Sequence, residues 1–387
     1  MNGRAAADEY TMLNPPPSLR PPPRPELAGL PASHHGALDF AELEQIGLPA
    51  TTIVDFSVNS NPFGPSPRAQ EALRAVALDQ YPDRHCLALR RRLAARHGVG
   101  IEQILVGNGA AELIWLAALA YLNPQRAALI LSPTFGEYER AARLMGAPVH
   151  TWRAAPERDF QIDLDAVARA IARLRPGVVF WCNPNNPTGV HTPDEAITAC
   201  ATRHPDTLFV IDEAYRRFVF EPAIGAPDEP RRAAQLPANV LLLRSMTKDY
   251  ALAGLRLGYA LGTREAIHAL AQAQPPWSVN AAAQAAGCAA LDDEAHVART
   301  LQQLAAARNT LMSDLRRAGL RVWPSATHFF LVETGNGAAF RGALLKDGLQ
   351  VRDCASFGLP TCVRIAARRP NDNARLVRAI QRLWPLP

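Results

Sequence analysis

Short apolar runs alternate with longer amphipathic segments along most of the chain from Ile104 onward. A run rich in branched apolar residues is typical of a strand buried on both faces, whereas apolar residues at helical spacing indicate a helix packed on a core. After a first strand that begins at Ile104, the predicted strands cover residues 127–131, 149–152, 178–181, 208–211, 240–243 and 258–261. This alternation predicts an α/β fold, in which helices flank a mostly parallel sheet.

The two ends of the chain have other patterns. Proline dominates residues 13–31, which predicts a disordered or polyproline extension because proline cannot donate a backbone hydrogen bond. The predicted helices cover residues 38–46, 68–76, 87–97, 138–145, 163–173, 193–202 and 373–383, together with a long helical region between 277 and 318. The remaining predicted strands are 53–57, 329–332 and 363–366. We therefore expect an extension at 1–32, an N-terminal arm with part of a small domain at 33–78, a large domain at 79–278 and a smaller α+β domain at 279–387.

Composition and charge argue against several classes of protein. Hydrophobic residues make up 48% and charged residues 20% of the 387 positions, which is ordinary for a globular protein. The net charge of +5 comes from scattered arginines and not from a dense basic stripe, so we expect no nucleic-acid partner. The N-terminus lacks the apolar core of a signal peptide, and the most apolar helical stretch, 113–122, is shorter than the roughly 20 residues that span a bilayer. These features predict a cytoplasmic protein without a membrane partner.

The spacing of cysteine and histidine argues against disulfide and metal sites. The six cysteines form no C-x-x-C pair, which is typical of thiols in a reducing compartment. The ten histidines show neither H-x-H nor H-E-x-x-H spacing. We expect no metal ion.

The strongest candidate chemistry lies between two predicted strands, at Ser245-Met-Thr-Lys248. An amine that attacks a carbonyl needs a lowered pKa, which burial and a nearby cation such as Arg256 supply. The hydroxyls of Ser245 and Thr247, with the Arg256 guanidinium, are groups that hold a phosphate dianion. A lysine beside a phosphate site is what a pyridoxal 5'-phosphate (PLP) Schiff base requires. Taken alone, the motif also fits a surface lysine in a strand–loop connection.

Other polar groups follow predicted strands, at the sheet edge where ligands of α/β proteins bind. The glycine turn at 107–111 opens a helix, whose N-terminus favours an anion. Phe135 is placed either to stack on an aromatic ring or to fill the core, and the Asn-Pro loop at 183–189 directs amides toward the edge. Asp212 and Tyr215 close one strand, where the acid is either a cap or the partner of a protonated pyridine nitrogen.

Three motifs in this order, 183–189, 212–215 and 245–248 with Arg256, resemble those of the PLP-dependent aminotransferases of fold type I. The resemblance extends from His35 to the C-terminus. It is strongest to the branch that holds histidinol-phosphate aminotransferases and the threonine-phosphate decarboxylases of cobalamin synthesis. The resemblance implies PLP as the cofactor and a homodimer whose active sites lie at the subunit interface.

The resemblance also implies a role for each matching residue. Lys248 holds the cofactor as a Schiff base and moves protons, and Asp212 pairs with the pyridine nitrogen. Asn186 and Tyr215 hydrogen-bond the ring oxygen. The other implied cofactor contacts are Gly109, Ala110, Ala111, Phe135, Ser245, Thr247, Arg256 and the partner subunit's Tyr81. The implied substrate contacts are Arg364, as a fork for a carboxylate, together with Asn59, His35 and Arg352. Ala110 and Ala111 depart from the commoner family forms and lack side-chain donors, which leaves only backbone amides there.

The reaction depends on which bond at the substrate Cα breaks. The early His35-Gly36, and Ser-Met-Thr-Lys248 in place of Thr-x-Ser-Lys, favour the decarboxylase branch. We therefore expect an L-threonine-O-3-phosphate decarboxylase-like enzyme that forms aminopropanol phosphate; the alternative is transamination of histidinol phosphate with 2-oxoglutarate and glutamate. His35, with Arg352 or Arg368, is expected to grip a phosphate on the substrate, although His35 also fits an exposed loop.

Two other classes remain as alternatives. A non-catalytic regulator with this fold would lack or replace Lys248, which this chain retains. A nucleotide-binding α/β protein would use 107–111 as a phosphate loop, but G-x-x-x-x-G-K-[ST] and G-x-G-x-x-G are absent from the sequence.

Overall fold

The computed structural model describes residues 22, 24–27, 30, 36–220 and 236–384. Most of the predicted proline-rich extension, and His35, lie outside the described residues. The strands are β1 (Val54–Asp55), β2 (Ile104–Asn108), β3 (Ala128–Ser132), β4 (Val149–Arg153), β5 (Val178–Cys182), β6 (Leu208–Asp212), β7 (Val240–Ser245), β8 (Leu257–Leu261), β9 (Phe329–Glu333), β10 (Leu349–Gln350), β11 (Arg352–Asp353) and β12 (Cys362–Ala366). The helices are α1 (Phe40–Gln45), α2 (Pro67–Arg74), α3 (Leu87–His97), α4 (Gly109–Tyr121), α5 (Glu137–Leu144), α6 (Leu164–Leu174), α7 (Asp194–Arg203), α8 (Arg264–Ala273), α9 (Ala281–Leu291), α10 (Glu294–Arg317), α11 (Gly337–Lys346) and α12 (Pro370–Leu383).

Seven strands form the central sheet, in the order β2-β8-β7-β6-β5-β3-β4. The pairs from β7 to β4 are parallel, and β8 runs antiparallel to both of its neighbours. The mostly parallel α/β sheet expected from the sequence is therefore confirmed. Each predicted strand begins and ends within two residues of the observed one.

Strand β5 shows why these strands read as continuous apolar runs. All five of its residues are buried. Val179 and Trp181 face one hydrophobic core, and Val178, Phe180 and Cys182 face the core on the other side of the sheet. Helices cover both faces, so neither set of side chains is left in water.

Helices α8 and α11 were not predicted from the sequence. Each has a side-chain cap: the Thr263 hydroxyl accepts the Ala266 amide, and the Asn336 oxygen accepts the Ala339 amide. In α11, glycines at 337 and 342 lower the intrinsic helix preference, so its packing in the fold decides the conformation. Among the described helices, none is both long and apolar enough to cross a membrane.

The C-terminal region contains a three-stranded antiparallel sheet in the order β11-β12-β9. The N-terminal segment joins this region because β1 pairs in parallel with β10, Val54 opposite Leu349. The strand predicted at 53–57 is limited to these two paired residues of β1. The boundaries expected for the arm and the two domains stay predictions.

Candidate active site

Most of the predicted cofactor contacts line one cavity at the carboxyl edge of the central sheet. They come from the start of α4, the loops after β3, β5 and β6, and the stretch between β7 and β8. The predicted residues that line it are Ala110, Ala111, Phe135, Asn186, Asp212, Tyr215, Ser245, Thr247, Lys248 and Arg256. Parallel strands end at the same edge, so residues far apart in the sequence meet there.

Lys248 lies in the loop that follows β7, and its backbone is held from the N-terminal segment. The Asn61 amide donates to the Lys248 carbonyl at 2.8 Å, and the Asn61 side chain donates to the Asp249 carbonyl at 3.1 Å. Burial, followed by the nearby Arg364 and Arg256 guanidinium groups, lowers the pKa of the Lys248 amine to about 8. About a tenth of the amine is therefore neutral at pH 7, far more than for an ordinary lysine, and the neutral form is the nucleophile. Asn61 was not singled out in the sequence, although it lies two residues after Asn59.

Asp212 is the last residue of β6 and is buried. One carboxylate oxygen accepts the Ala214 amide at 2.9 Å, and the other accepts the Tyr138 hydroxyl at 2.7 Å. Burial raises the pKa of Asp212, while these two hydrogen bonds and the Lys248 charge act in the opposite direction. The sequence indicated Asp212 but gave no sign that Tyr138 contacts it.

The other end of the cavity is rich in hydrogen-bond donors. Helix α4 begins at Gly109, and the Asn108 side chain does not cap it, so backbone N–H groups point outward there. The Ser245 and Thr247 hydroxyls lie 2.6 Å apart beside this helix end. Gly109 has φ +76, and a Cβ on it would lie 2.9 Å from the Arg256 guanidinium, so glycine permits this close approach. Such a donor set suits a phosphate.

Arg364, on β12, connects the C-terminal sheet to the cavity. Its guanidinium donates to the Asn186 side-chain oxygen and to the Ser57 carbonyl, and lies 5.6 Å from the centre of the Phe329 ring. Burial lowers its pKa, while the neighbouring Tyr215 phenol acts in the opposite direction. This arrangement fixes the plane of the guanidinium beside the cavity.

The remaining predicted substrate residues lie near Arg364 with one exception. Arg352 is directly opposite Arg364 in the β11–β12 ladder, so both side chains emerge on the same face. Asn59 is buried beside Tyr215, and neither atom of its side-chain amide has a hydrogen-bond partner of ordinary geometry among the described residues. The exception is His35, which lies outside the described residues.

Tyr81 does not line the cavity of its own chain. It is 83% exposed and packs on Trp277, with the ring centres 4.9 Å apart. Its predicted role in the partner's site stays a prediction.

The cavity suits an aromatic ring with a phosphate at one end and a protonated nitrogen at the other. Phe135 supplies an aromatic wall, Asp212 lies at the nitrogen end, and the start of α4 supplies amides at the phosphate end. The fold and this site define a PLP-dependent enzyme of fold type I.

Comparisons with known proteins identify the family. Residues 51–380 match the model of the aminotransferase class I and II family, and the chain belongs to that family. A relative named histidinol-phosphate aminotransferase, from Symbiobacterium thermophilum, is 39% identical over 333 residues, which cover 85% of this chain and 90% of the relative.

Two solved structures also match most of the chain. Histidinol-phosphate aminotransferase from Sinorhizobium meliloti, in complex with pyridoxal-5'-phosphate, has a TM-score of 0.82 and 27% identity, and the match covers 93% of this chain and 96% of that one. L-threonine-O-3-phosphate decarboxylase from Porphyromonas gingivalis has a TM-score of 0.75 and 28% identity, over 86% and 99% of the two chains. The cofactor of this protein is accordingly PLP.

Proposed function

We propose that this protein is a transaminase that moves an amino group between a small phosphorylated amine, of the histidinol-phosphate type, and 2-oxoglutarate. The observation that carries this proposal is the 39% identity to a relative named histidinol-phosphate aminotransferase, in a chain whose Lys248 and Asp212 line one cavity and whose Arg364 contacts Asn186 in its wall. The preference for decarboxylation that the sequence motifs suggested has less support, because its named counterpart is the more distant P. gingivalis structure.

Each residue of the cavity has a distinct task in this proposal. Bound PLP supplies a ring that withdraws electrons from the substrate Cα. Lys248 would hold the cofactor covalently, and its Nζ, once the substrate amine has replaced it there, would be free to carry a proton away from the substrate Cα. The Asp212 carboxylate would hold the protonated ring nitrogen, and its negative charge would favour that protonation.

Orientation of the cofactor comes from its other contacts. Asn186 and Tyr215 would hold the ring oxygen, and Phe135 would supply an aromatic contact to the ring. The amides of Gly109, Ala110 and Ala111 would hold the phosphate together with three side chains: Ser245, Thr247 and Arg256. Burial raises the pKa of the Tyr215 phenol to about 12, so it remains a hydrogen-bond donor over the working pH range.

Anionic substrates are supported by the arginines of the C-terminal sheet. Arg364 binds a carboxylate as a planar fork. Arg352 stands next to it in the ladder, where two like charges repel unless an anion lies between or beside them. A substrate phosphate supplies such an anion, with Asn59, His35 and Arg368 as further candidates for contact. We further propose a cytoplasmic homodimer, in which the partner's Tyr81 completes each site.

Decarboxylation of L-threonine phosphate is the second candidate, and product analysis separates the two. The holoenzyme is given histidinol phosphate with 2-oxoglutarate, and separately L-threonine phosphate alone. We expect glutamate in the first reaction and no carbon dioxide in the second. Carbon dioxide released without any keto acid would replace the transaminase proposal with the decarboxylase.

A further inference from the structure

Tyr138 lies in the first turn of α5 and is fully buried beside the cavity. Its ring stacks on Phe180, with centres 5.2 Å apart and an interplanar angle of 9°, and it meets the edge of Phe135 at 5.7 Å. Two aromatic contacts at different angles leave the ring little freedom to turn. The hydroxyl is therefore held at a fixed position.

That hydroxyl donates to the Asp212 carboxylate at 2.7 Å, which is the short distance of a charge-assisted hydrogen bond. The second carboxylate oxygen accepts the Ala214 amide. The two donors come from different parts of the fold, the start of α5 and the backbone after β6. Together they fix the plane of the carboxylate.

We propose that Tyr138 is a positioning residue whose hydroxyl orients the Asp212 carboxylate toward the ring nitrogen of the bound cofactor. This inference rests on the role of Asp212 in the proposed function. Tyr138 itself takes no part in binding the substrate.

The charges around Asp212 explain why this contact matters. Burial raises the pKa of Asp212, and the hydrogen bond from Tyr138 is the largest of the influences that lower it. The other titratable groups that interact with the carboxylate are the Lys248 amine, the Glu213 carboxylate, the Cys182 thiol and the Tyr215 phenol. Burial holds the pKa of Tyr138 well above its usual value, so the phenol stays a donor. Without the hydroxyl, Asp212 would take up a proton at a higher pH and would then no longer favour the protonated ring nitrogen.

The test compares Tyr138→Phe with Tyr259→Phe in the holoenzyme. Phenylalanine keeps both ring contacts and removes only the hydroxyl. Tyr259 is the matched control, because it is also buried and its hydroxyl bonds to His97 at 3.0 Å, outside the cofactor cavity. Thermal unfolding followed by circular dichroism verifies that both variants are folded.

Three readouts are expected to change in Tyr138→Phe and not in the control. The kcat should fall about tenfold to a hundredfold with KM nearly unchanged, since a hydrogen bond to a charged group is worth that much. The acid limb of the kcat profile, and of the pH titration of the cofactor's visible absorption, should move to higher pH. Cofactor affinity, measured by titrating the apoprotein with PLP, should weaken.

Combining Tyr138→Phe with Asp212→Asn shows whether the effect of the hydroxyl depends on the carboxylate. In Asp212→Asn the buried carboxylate is absent, so adding Tyr138→Phe should cost little further cofactor affinity. Equal losses in both backgrounds would overturn the inference, as would a Tyr138→Phe enzyme that titrates like the wild type. If the wild-type protein itself bound no PLP, the proposed function would be overturned, and this outcome is distinguishable because it does not depend on any substitution.

Discussion

The free amine of Lys248 should make the apoprotein less stable than it would be with an apolar side chain at this position. In the unfolded chain the amine has its usual pKa of 10.5, and in the folded protein burial and two arginines lower the pKa to about 8. Between these two values the unfolded chain binds more protons than the folded one. Stability therefore rises with pH through this window, and below about pH 8 the penalty is fully present.

The size of the penalty follows from the difference between the two pKa values. A difference of about 2.5, at about 1.4 kcal/mol for each pKa unit, corresponds to roughly 3–4 kcal/mol. The Lys248 side chain is only partly buried and keeps some exposure to solvent in the cavity, so this free energy is an upper limit. Lys248→Met retains most of the side-chain volume and removes the charge. At pH 7 the variant apoprotein should gain roughly 1–3 kcal/mol in free energy of unfolding, and the gain should shrink toward pH 10.

Urea unfolding of the apoproteins at pH 7 and pH 10, at one protein concentration, measures this difference. The chain has two lysines, and the other, Lys346, is exposed at the end of α11, so Lys346→Met is the matched control with no expected gain. A Lys248→Met apoprotein no more stable than the wild type at pH 7 would refute a charge penalty at this position. An equal gain in free energy of unfolding at both pH values would refute it too, since the charge of the amine would then not be the cause.

Two further substitutions test the cofactor and substrate ends of the site. Asp212→Asn should keep PLP bound to Lys248 but lower kcat by more than about a hundredfold, because an amide does not stabilise positive charge on the ring nitrogen; kcat within tenfold of the wild type would mean that Asp212 only caps the turn after β6. Arg364→Lys should raise KM for 2-oxoglutarate about tenfold or more, because an ammonium group cannot replace a two-point guanidinium contact; a loss confined to the phosphorylated substrate would assign Arg364 to the phosphate instead.

The sequence predicted the sheet and the residues at its edge for one physical reason. Strands buried on both faces read as uninterrupted apolar runs, so a polar residue that follows such a run stands out. Asp212 at the end of β6 and Lys248 after β7 were found in this way. The edge strand β2 and the antiparallel strand β8 are also apolar runs, and both were predicted as strands. An apolar run does not show the direction of a strand or its place in the sheet, so the antiparallel pairing of β8 was not predicted.

Contacts between distant segments could not be predicted in the same way. Tyr138 precedes Asp212 by 74 residues, and it reaches the carboxylate because β5 lies between β3, which leads into α5, and β6. The Arg364 contact with Asn186 spans 178 residues and depends on where the C-terminal sheet packs. Amphipathic spacing shows that a helix has a buried face, but which polar group that face meets depends on strand order.

The balance of charge links these separate contacts to the chemistry. Lys248, Arg256 and Arg364 lie within electrostatic reach of one another, with the buried Asp212 as the acid that acts on the lysine. Burial is the largest cause of the lowered pKa of the lysine, and repulsion between its charge and the two guanidinium groups adds to it. An anionic cofactor phosphate near Arg256, and an anionic substrate group at Arg364, each offset part of this repulsion. The positive potential that attracts these anions therefore also helps to keep the Lys248 amine neutral before they bind.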